Sequence, residues 1–223
     1  MMPTNRPGRI WNELLRGNER FVAGTPRHPR QGVERRESVA QGQAPLAAIF
    51  GCADSRLAAE IIFDLGLGDA FVVRNAGQVI SDSVVGSLEY AVAVLKVPLI
   101  LVLGHDACGA VASAIASQAA DAEPLPPHIA SLIAPIVPAV HRVTNTAMDA
   151  AIDPAQVDAS AVGREHLRHT VSELLACSEI ISDAVAANLL AIVGANYRLQ
   201  EGRVVPDVVV GLADPAADSP SAA

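Results

Sequence analysis

The sequence predicts an α/β protein with a mainly parallel central sheet flanked by helices. Short apolar runs alternate with amphipathic segments along most of the chain, which is typical of parallel strands joined by helical crossovers. Hydrophobic residues make up 51% of the 223 residues and charged residues 18%. A chain of this length and composition can bury one sizeable core, and global disorder is excluded.

Five short apolar runs favour strands. The most strand-like is 98–103, with the sequence PLILVL. Between these runs, amphipathic spacing predicts helices, and residues 83–96 show the clearest apolar face. The predicted strands are 46–51, 70–74, 98–103, 189–194 and 204–210, and the predicted helices are 12–23, 57–65, 83–96 and a long one at about 163–187.

These elements favour one domain over residues 1–212. Residues 1–44 combine a helical segment weakened by Gly17 with a polar stretch that could form a second helix, so we expect an N-terminal helical arm with too little apolar surface for a core of its own. Residues 119–160 are rich in proline and contain no strong strand, which predicts a connecting segment within the domain. The tail, 213–223, is expected to be disordered.

Composition excludes several classes of function. The formal net charge of −8 disfavours nucleic acid as a partner, because phosphate contacts need clustered basic residues. No apolar run reaches the roughly 18–20 residues that span a bilayer, and the N-terminus shows no secretory signal. Three cysteines do not make a disulfide framework. We therefore expect a soluble, cytoplasmic protein with free thiols and no membrane partner.

Chemistry-bearing side chains directly follow two of the predicted strands. The motif CADSR, Cys52 to Arg56, comes after the first strand, and HDACG, His105 to Gly109, comes after the third. The carboxyl ends of parallel strands lie at one edge of a sheet, where such sheets bind their ligands. The two motifs are therefore predicted to converge.

Converged, the motifs would offer the thiolates of Cys52 and Cys108 and the imidazole of His105. Sulfur and nitrogen donors suit Zn²⁺ in a tetrahedral site, and three protein ligands leave a fourth position open, as in catalytic zinc sites. Water bound at such a position has a pKa of about 7, which gives zinc-bound hydroxide near neutral pH. Cys108 also begins a predicted helix, whose N-terminal dipole favours the thiolate.

Asp54 and Arg56 are close enough in the loop to form an ion pair, since arginine grips carboxylates with two hydrogen bonds. A carboxylate held in this way could accept a hydrogen bond from the zinc-bound hydroxide and orient it. Released from Arg56, Asp54 could itself occupy the fourth zinc position. One residue could therefore both assist and block catalysis.

Each of these signals has an ordinary explanation when taken alone. A cysteine after an apolar strand is most often a small core residue, His-x-x-Cys is weak evidence for a metal, and Asp-x-Arg is most often a loop ion pair of little energetic weight. A structural zinc site is a further alternative. The shared location of complementary ligands favours a catalytic metal site. The other histidines, His141 and His166 among them, and Cys177 belong to no motif and are expected to be surface or core residues.

The paired motifs and several further segments resemble the β-class carbonic anhydrases. The matching segments include 17–22, 71–77 (FVVRNAG), 87–91 (SLEYA) and 102–105. The resemblance implies a lyase that catalyses the zinc-dependent, reversible hydration of carbon dioxide to bicarbonate and a proton. By position, it implies that Cys52, His105 and Cys108 are the zinc ligands and that Asp54 and Arg56 form the gating pair.

The resemblance also implies a substrate pocket and an oligomer. Gln43 matches a glutamine that hydrogen-bonds substrate from the neighbouring subunit. Phe71, Ala76 and Tyr90 match residues that line the apolar carbon dioxide pocket, and Gly109 matches a glycine whose backbone N–H lies near the substrate. The functional unit is then a homodimer, or a homotetramer built from dimers, in which the N-terminal arm wraps the partner. Without the resemblance, packing or solvation would explain these residues.

One position departs from the family pattern. Members with a non-catalytic bicarbonate site have a tryptophan three residues before the first cysteine ligand, where this chain has Ile49. Arg74 and Tyr197 fit the other positions of that site, but without the indole we do not expect it to form. Two alternative functions stay open: hydrolysis of another heterocumulene, carbonyl sulfide or carbon disulfide, at the same site, and a non-catalytic zinc-binding or redox-sensing module that uses Cys52 and Cys108.

Overall fold

The computed structural model describes residues 7–212, and the tail predicted to be disordered lies outside the described residues. Within 7–212, the strands are β1 Ala47–Cys52, β2 Ala70–Asn75, β3 Leu99–His105, β4 Ala191–Arg198 and β5 Arg203–Val210. They form one sheet in the order β2-β1-β3-β4-β5. The first four are parallel, and β5 runs antiparallel to β4. The predicted α/β class with a mainly parallel sheet is confirmed.

The helices connect and cover these strands. They are α1 Pro7–Val22, α2 Val33–Val39, α3 Ala59–Ile62, α4 Asp82–Ala93, α5 Gly109–Ala116, α6 Pro127–Ile133, α7 Val137–Thr144, α8 Ala159–Cys177 and α9 Glu179–Ala186, with short 3₁₀ turns at Ala134–Ile136 and Pro154–Gln156. No helix within the described part of the chain has the length and apolarity needed to cross a membrane.

The centre of the sheet is buried on both faces. Every residue of β1 and β3 is buried, which explains why both sequences are continuous apolar runs rather than alternating ones. Side chains of successive residues point to opposite faces. Ile49 and Leu101 therefore belong to a core shared with α1, α5 and α7, whereas Phe50 and Ile100 belong to a second core shared with α4, α8 and α9. Cys52, the last residue of β1, packs in the first of these two cores.

The strand order places the predicted motifs next to each other. β1 lies between β2 and β3, so the chain leaves β1 toward one side of the sheet and returns through β3 on the other side. Cys52 at the end of β1 pairs with Asn75 at the end of β2, and Gly51 pairs with Leu103 in β3. This is a topological switch point, where open α/β sheets form a crevice beyond the strand ends.

The N-terminal arm divides into two parts. Ile10, Trp11 and Leu14 of α1 are buried in the core of their own chain, so α1 is part of the described fold rather than a free arm. Gly17 does not weaken α1, because a Cβ at that position would overlap the carbonyl oxygen of Phe63, and glycine is what allows the close approach. α2, by contrast, contains no buried residue. Contact between the arm and a partner subunit remains a prediction.

Three predicted segments differ from the structure in detail. The long helix at 163–187 is two helices, since Ser178 has an extended backbone and its side chain caps α9 by accepting a hydrogen bond from the Ile181 N–H. The helix at 57–65 is limited to Ala59–Ile62. The connecting segment at 119–160 contains no strand, as predicted, but it is largely helical, with prolines in the first turns of α6 and α7 where they are tolerated.

Candidate metal centre

The structure brings together the two thiols and the imidazole of the CADSR and HDACG motifs. Cys52 is the last residue of β1, His105 is the last residue of β3, and Cys108 is the N-cap of α5. Their side-chain donor atoms all lie within 4.8 Å of one another, and all three residues are buried. The two sulfur atoms are 4.0 Å apart and form no disulfide. In tetrahedral zinc sites, Zn–S bonds of about 2.3 Å place two sulfur atoms about 3.8 Å apart, so the spacing fits a zinc ion.

His105 presents the tautomer that a metal ligand needs. Its Nδ1 lies 2.8 Å from the backbone oxygen of Asp106, which can only accept a hydrogen bond, so Nδ1 carries the proton. Its Nε2 is buried and has no hydrogen-bond partner within residues 7–212. A buried unpaired nitrogen is costly in free energy unless something else binds it. The orphaned Nε2 beside two thiols therefore indicates a site for a soft divalent metal ion such as zinc.

The surroundings of the two cysteines favour a thiolate. The N–H of Gly77 donates a hydrogen bond to Cys52 Sγ at 3.3 Å, and Cys108 lies at the N-terminus of α5, where backbone N–H groups face it. Without a metal ion, the hydrogen bond from Cys108 lowers the pKa of Cys52, and the Cys52 thiolate in turn raises the pKa of Cys108. A divalent cation would remove that conflict by binding both sulfurs as thiolates.

Asp54 and Arg56 form the ion pair that their spacing predicts. Arg56 Nε and Nη2 donate to the two carboxylate oxygens of Asp54 at 2.9 and 2.7 Å. These hydrogen bonds hold the pKa of Asp54 well below its usual range. Asp54 Oδ2 lies 4.0 Å from His105 Nε2, so the carboxylate borders the donor cluster. The loop is further fixed by Arg74, which donates to the backbone oxygens of Cys52 and Asp54 at 2.9 and 2.6 Å.

The residues expected to bind substrate are divided between two places. Ala76 and Gly109 lie close to the donor cluster. Ala76 precedes Gly77, whose N–H contacts Cys52, and Gly109 directly follows Cys108. Phe71 and Tyr90 pack against each other with ring centroids 6.2 Å apart, but on the other face of the sheet. Phe71 pairs with Ala48, near the opposite end of β1 from Cys52.

Gln43 is exposed in the loop that precedes β1, at the opposite end of that strand from Cys52. Of the residues discussed for a bicarbonate site, Ile49 is buried in β1 and Tyr197 is buried opposite His105 in the sheet, whereas Arg74 is already engaged by the CADSR loop.

Two residues near the donor cluster are not among the predicted site residues, although Gly77 lies in the matching segment 71–77. Gly77 contacts Cys52 through its backbone N–H, and any residue type except proline has that group. His166 on α8 contacts Gly77 from a distant part of the sequence. It looks like an ordinary core histidine until the fold is known, so no local pattern could have identified it.

Comparisons with known proteins agree with this geometry. Residues 47–204 match the family model for carbonic anhydrase. Carbonic anhydrase 2 of Mycobacterium tuberculosis is 49% identical over 205 residues, which cover 92% of this chain and 94% of that protein. The carbonic anhydrase of Mycolicibacterium smegmatis is 47% identical over 204 residues, covering 91% of this chain and 94% of that protein.

Solved structures show the same fold. A tetrameric β-carbonic anhydrase from Sordaria macrospora matches with a TM-score of 0.68 at 22% identity, covering 91% of this chain and 99% of that one. A Coccomyxa β-carbonic anhydrase in complex with acetazolamide matches with a TM-score of 0.64 at 24% identity, covering 94% of this chain and 87% of that one. The sequence relatives and the family model together show that this chain is an enzyme of the carbonic anhydrase family and belongs to its β class.

Proposed function

We propose that this chain holds Zn²⁺ on Cys52, His105 and Cys108 and catalyses the reversible hydration of carbon dioxide to bicarbonate and a proton. One observation carries the proposal: a buried set of two thiols and an unpaired imidazole nitrogen lies beside an ionised Asp–Arg pair. Membership of the carbonic anhydrase family supports the reaction, and the donor set supports the metal.

The chemistry divides between the metal and the protein. When bound by three protein ligands, zinc supplies hydroxide at neutral pH by lowering the pKa of water to about 7. Asp54, kept ionised by Arg56, can accept a hydrogen bond at Oδ2 and so orient the attacking group. Because its pKa is held low, Asp54 does not store the released proton at neutral pH. That proton has to leave by another route.

The same loop can close the site. Asp54 Oδ2 lies near the unpaired His105 Nε2, and within residues 7–212 the hydrogen bonds to this carboxylate all come from the side chain and backbone N–H of Arg56. A carboxylate freed from Arg56 would be a fourth ligand for the metal and would exclude substrate. We therefore assign a gating role to the pair Asp54–Arg56.

The substrate pocket is proposed to need a second copy of the chain. Phe71 and Tyr90 form an aromatic pair on the face of the sheet opposite Cys52, and Tyr90 is 46% exposed in the single chain. Gln43 is exposed as well. Within one subunit these residues do not surround the metal site. In an oligomer, they could line the pocket beside the metal site of the partner subunit. A homodimer, or a homotetramer of dimers, is the assembly that we propose, in the cytoplasm, where thiols stay reduced.

Stopped-flow measurement of carbon dioxide hydration at pH 7 and pH 8.5 tests the proposed activity. The zinc-loaded protein is expected to accelerate hydration well above the buffer rate, and the same preparation stripped of zinc is the control. Carbonyl sulfide and carbon disulfide, assayed side by side, show whether carbon dioxide is the preferred heterocumulene. A fully loaded protein with no rate above buffer at either pH would falsify the proposal.

A further inference from the structure

A buried histidine outside the metal site contacts the loop that supports it. His166 lies on α8, and only 2% of its surface is exposed. Its Nε2 is 2.8 Å from the backbone oxygen of Gly77. Gly77 and His166 are far apart in the sequence, so this hydrogen bond fastens a helix of the chain's C-terminal part to the loop after β2.

The protonation state of His166 follows from its surroundings. Burial lowers the pKa of His166 to about 4, so the ring is neutral at physiological pH. Since the Gly77 oxygen can only accept, the single ring proton is on Nε2. Nδ1 is buried and has no hydrogen-bond partner in the described chain. An unpaired buried nitrogen costs free energy, so an apolar residue would serve packing better, and the histidine calls for another explanation.

Gly77 is the residue through which His166 reaches the donor cluster. The N–H of Gly77 donates to Cys52 Sγ, while its carbonyl oxygen accepts from His166. The backbone of Gly77 has a φ of +82°, and a Cβ there would lie 2.9 Å from side-chain carbons of Ala110 and Ile136. Glycine is thus required, but glycine also rotates more freely than any other residue. Something has to hold its two peptide groups in place.

The loop is fixed from two sides. Asn75 clamps the strand side, because its side chain donates to the Val79 oxygen at 2.7 Å and accepts from the Val79 N–H at 2.9 Å. On the helix side, His166 provides the hydrogen bond to Gly77 itself. The Gly77 carbonyl belongs to the Gly77–Gln78 peptide, whose N–H donates to the Asn75 oxygen at 3.4 Å. His166 holds the carbonyl end of that peptide, on the other side of the Gly77 Cα from the N–H that faces Cys52, so the two hydrogen bonds together limit rotation about Gly77.

We propose that His166 is a positioning residue that keeps the Gly77 N–H directed at the sulfur of Cys52 and thereby sets how strongly Cys52 binds the metal. This inference rests on the proposed zinc site. A hydrogen bond to a ligating sulfur is an outer contact that orients the ligand and tunes its donor strength. His166 acts through Gly77 and touches neither the metal position nor the substrate.

The test compares two phenylalanine variants at buried histidines. His166→Phe removes the donor to Gly77, and His141→Phe is the matched control, because His141 is 3% exposed and bonds Thr146 and Gln118 instead. His166→Gln keeps an N–H donor near the position of Nε2. Each protein is loaded with zinc for affinity measurement by chelator competition and with Co²⁺ for its absorption spectrum, which reports the thiolate ligands directly.

We expect His166→Phe to weaken zinc binding by about tenfold, a typical loss for an outer-shell contact, and His166→Gln to restore most of the affinity. The thiolate-to-cobalt charge-transfer band should move to longer wavelength in His166→Phe only, because a sulfur that loses its hydrogen bond is a better electron donor. The affinity falls all the same, because the sulfur is no longer held in the orientation that binds the metal. Equal losses in both phenylalanine variants, or an unchanged affinity and spectrum in His166→Phe, would overturn the inference.

If His166→Phe does not fold, the wild-type protein provides the test. The Nε2–H proton of His166 should give an NMR resonance that shifts when zinc is removed, while the ring resonances of His141 stay in place. A His166 resonance whose chemical shift is the same with and without zinc would overturn the inference. A wild-type chain that binds no zinc would contradict the proposed function as well, whereas an active, zinc-loaded wild type beside an unaffected His166→Phe would contradict the inference alone.

Discussion

The predicted metal ligands and the predicted aromatic pocket residues lie in different parts of the subunit. Cys52, His105 and Cys108 meet within one chain at the end of the sheet. Phe71 and Tyr90 meet each other, but on the opposite face of the sheet. The donor atoms of the first group are already together in a single chain, whereas no predicted metal ligand of the same chain lies beside the second group. Under the proposed function, the subunit alone would bind the metal, and the substrate pocket would be completed only in the assembly.

The largest expected effect comes from breaking the metal centre itself. Cys52→Ser replaces a thiolate with a hydroxyl, a much poorer zinc ligand, so zinc content and hydration should both fall to background. Metal analysis and stopped-flow assays measure the two quantities. Cys177→Ser is the control, because Cys177 is exposed at the end of α8, and it should keep both. One zinc per chain in Cys52→Ser would contradict the ligand assignment.

The next effect separates the gating pair from the ligands. Asp54→Asn should retain zinc but lower the hydration rate by about 10²-fold, the usual size of a positioned acid–base contribution. Asp54 stays ionised down to strongly acidic pH in the wild type, since Arg56 lowers its pKa and the carboxylate is lost only as pH falls through that lowered value. An asparagine amide is a much poorer fourth ligand for the metal than a carboxylate, so closure of the site should be lost and the pH–rate profile should change shape. Superimposable profiles would remove Asp54 from the mechanism.

A mixed oligomer tests the claim that the pocket is shared. Phe71→Ala should lower kcat/KM by about 10- to 100-fold, the range for lost apolar contacts to a small substrate, and leave zinc in place. Mixing Phe71→Ala chains with inactive Cys52→Ser chains places an intact Cys52 opposite an intact Phe71 in each mixed dimer. The mixture should recover about a quarter of wild-type activity, because half of the dimers are mixed and each has one intact site.

The control for this experiment is a mixture of Cys52→Ser with Asp54→Asn. Both changes affect residues that one chain brings together, so no mixed dimer contains a complete site and activity should not recover. No recovery in the Phe71→Ala mixture would place the aromatic pair outside a shared pocket. Recovery in the control would contradict the claim that Cys52 and Asp54 act within one chain.

The smallest expected effect comes from a change where the N-terminal arm contacts the rest of the chain, away from both groups of site residues. The carboxylate of Asp64 is buried and accepts hydrogen bonds from Arg20 and from the backbone N–H groups of Arg27 and His28. Asp64→Asn should lower the free energy of unfolding by about 2 kcal/mol, the typical weight of hydrogen bonds to a charged group, without changing zinc content. Urea unfolding measures the loss.

The effect of Asp64→Asn should also depend on pH. Burial alone would raise the pKa of Asp64, but the hydrogen bonds from Arg27, Arg20 and His28 lower it on balance. A pKa lowered by folding contributes stability that is complete above the unfolded value of about 4 and is lost as pH falls below it. The difference between wild type and variant should therefore be constant from about pH 5 to pH 8 and shrink in acid. A zinc content that falls with Asp64→Asn would tie the metal centre to the arm.

The sequence predicts the strands and the strand ends well because each depends on a short stretch of chain. The continuous apolar runs at β1 and β3 require burial on both faces, and the residues just after them have to meet at one edge. Contacts between distant segments leave no such pattern. The close approach of Gly17 to Phe63, the break at Ser178 and the hydrogen bond from His166 to Gly77 each depend on a partner far away in the sequence.

The position of Phe71 shows a second kind of information that the sequence alone does not provide. Its place on the strand is predictable, but whether it faces the metal of its own chain depends on which side of the strand it occupies. Phe71 belongs to the core opposite that of Cys52. The match to the family motif identifies Phe71 and predicts its role in the substrate pocket. The fold is needed to show that Phe71 does not lie beside the donor cluster of its own chain.

A crystal structure of the zinc-loaded protein at pH 7 and pH 8.5, with anomalous data at the zinc edge, tests the central claim most directly. We expect one zinc per chain on Cys52 Sγ, His105 Nε2 and Cys108 Sγ, and a fourth position filled by solvent at pH 8.5 with Asp54 still paired to Arg56. Zinc bound elsewhere, or four protein ligands at both pH values, would contradict a catalytic centre at this site.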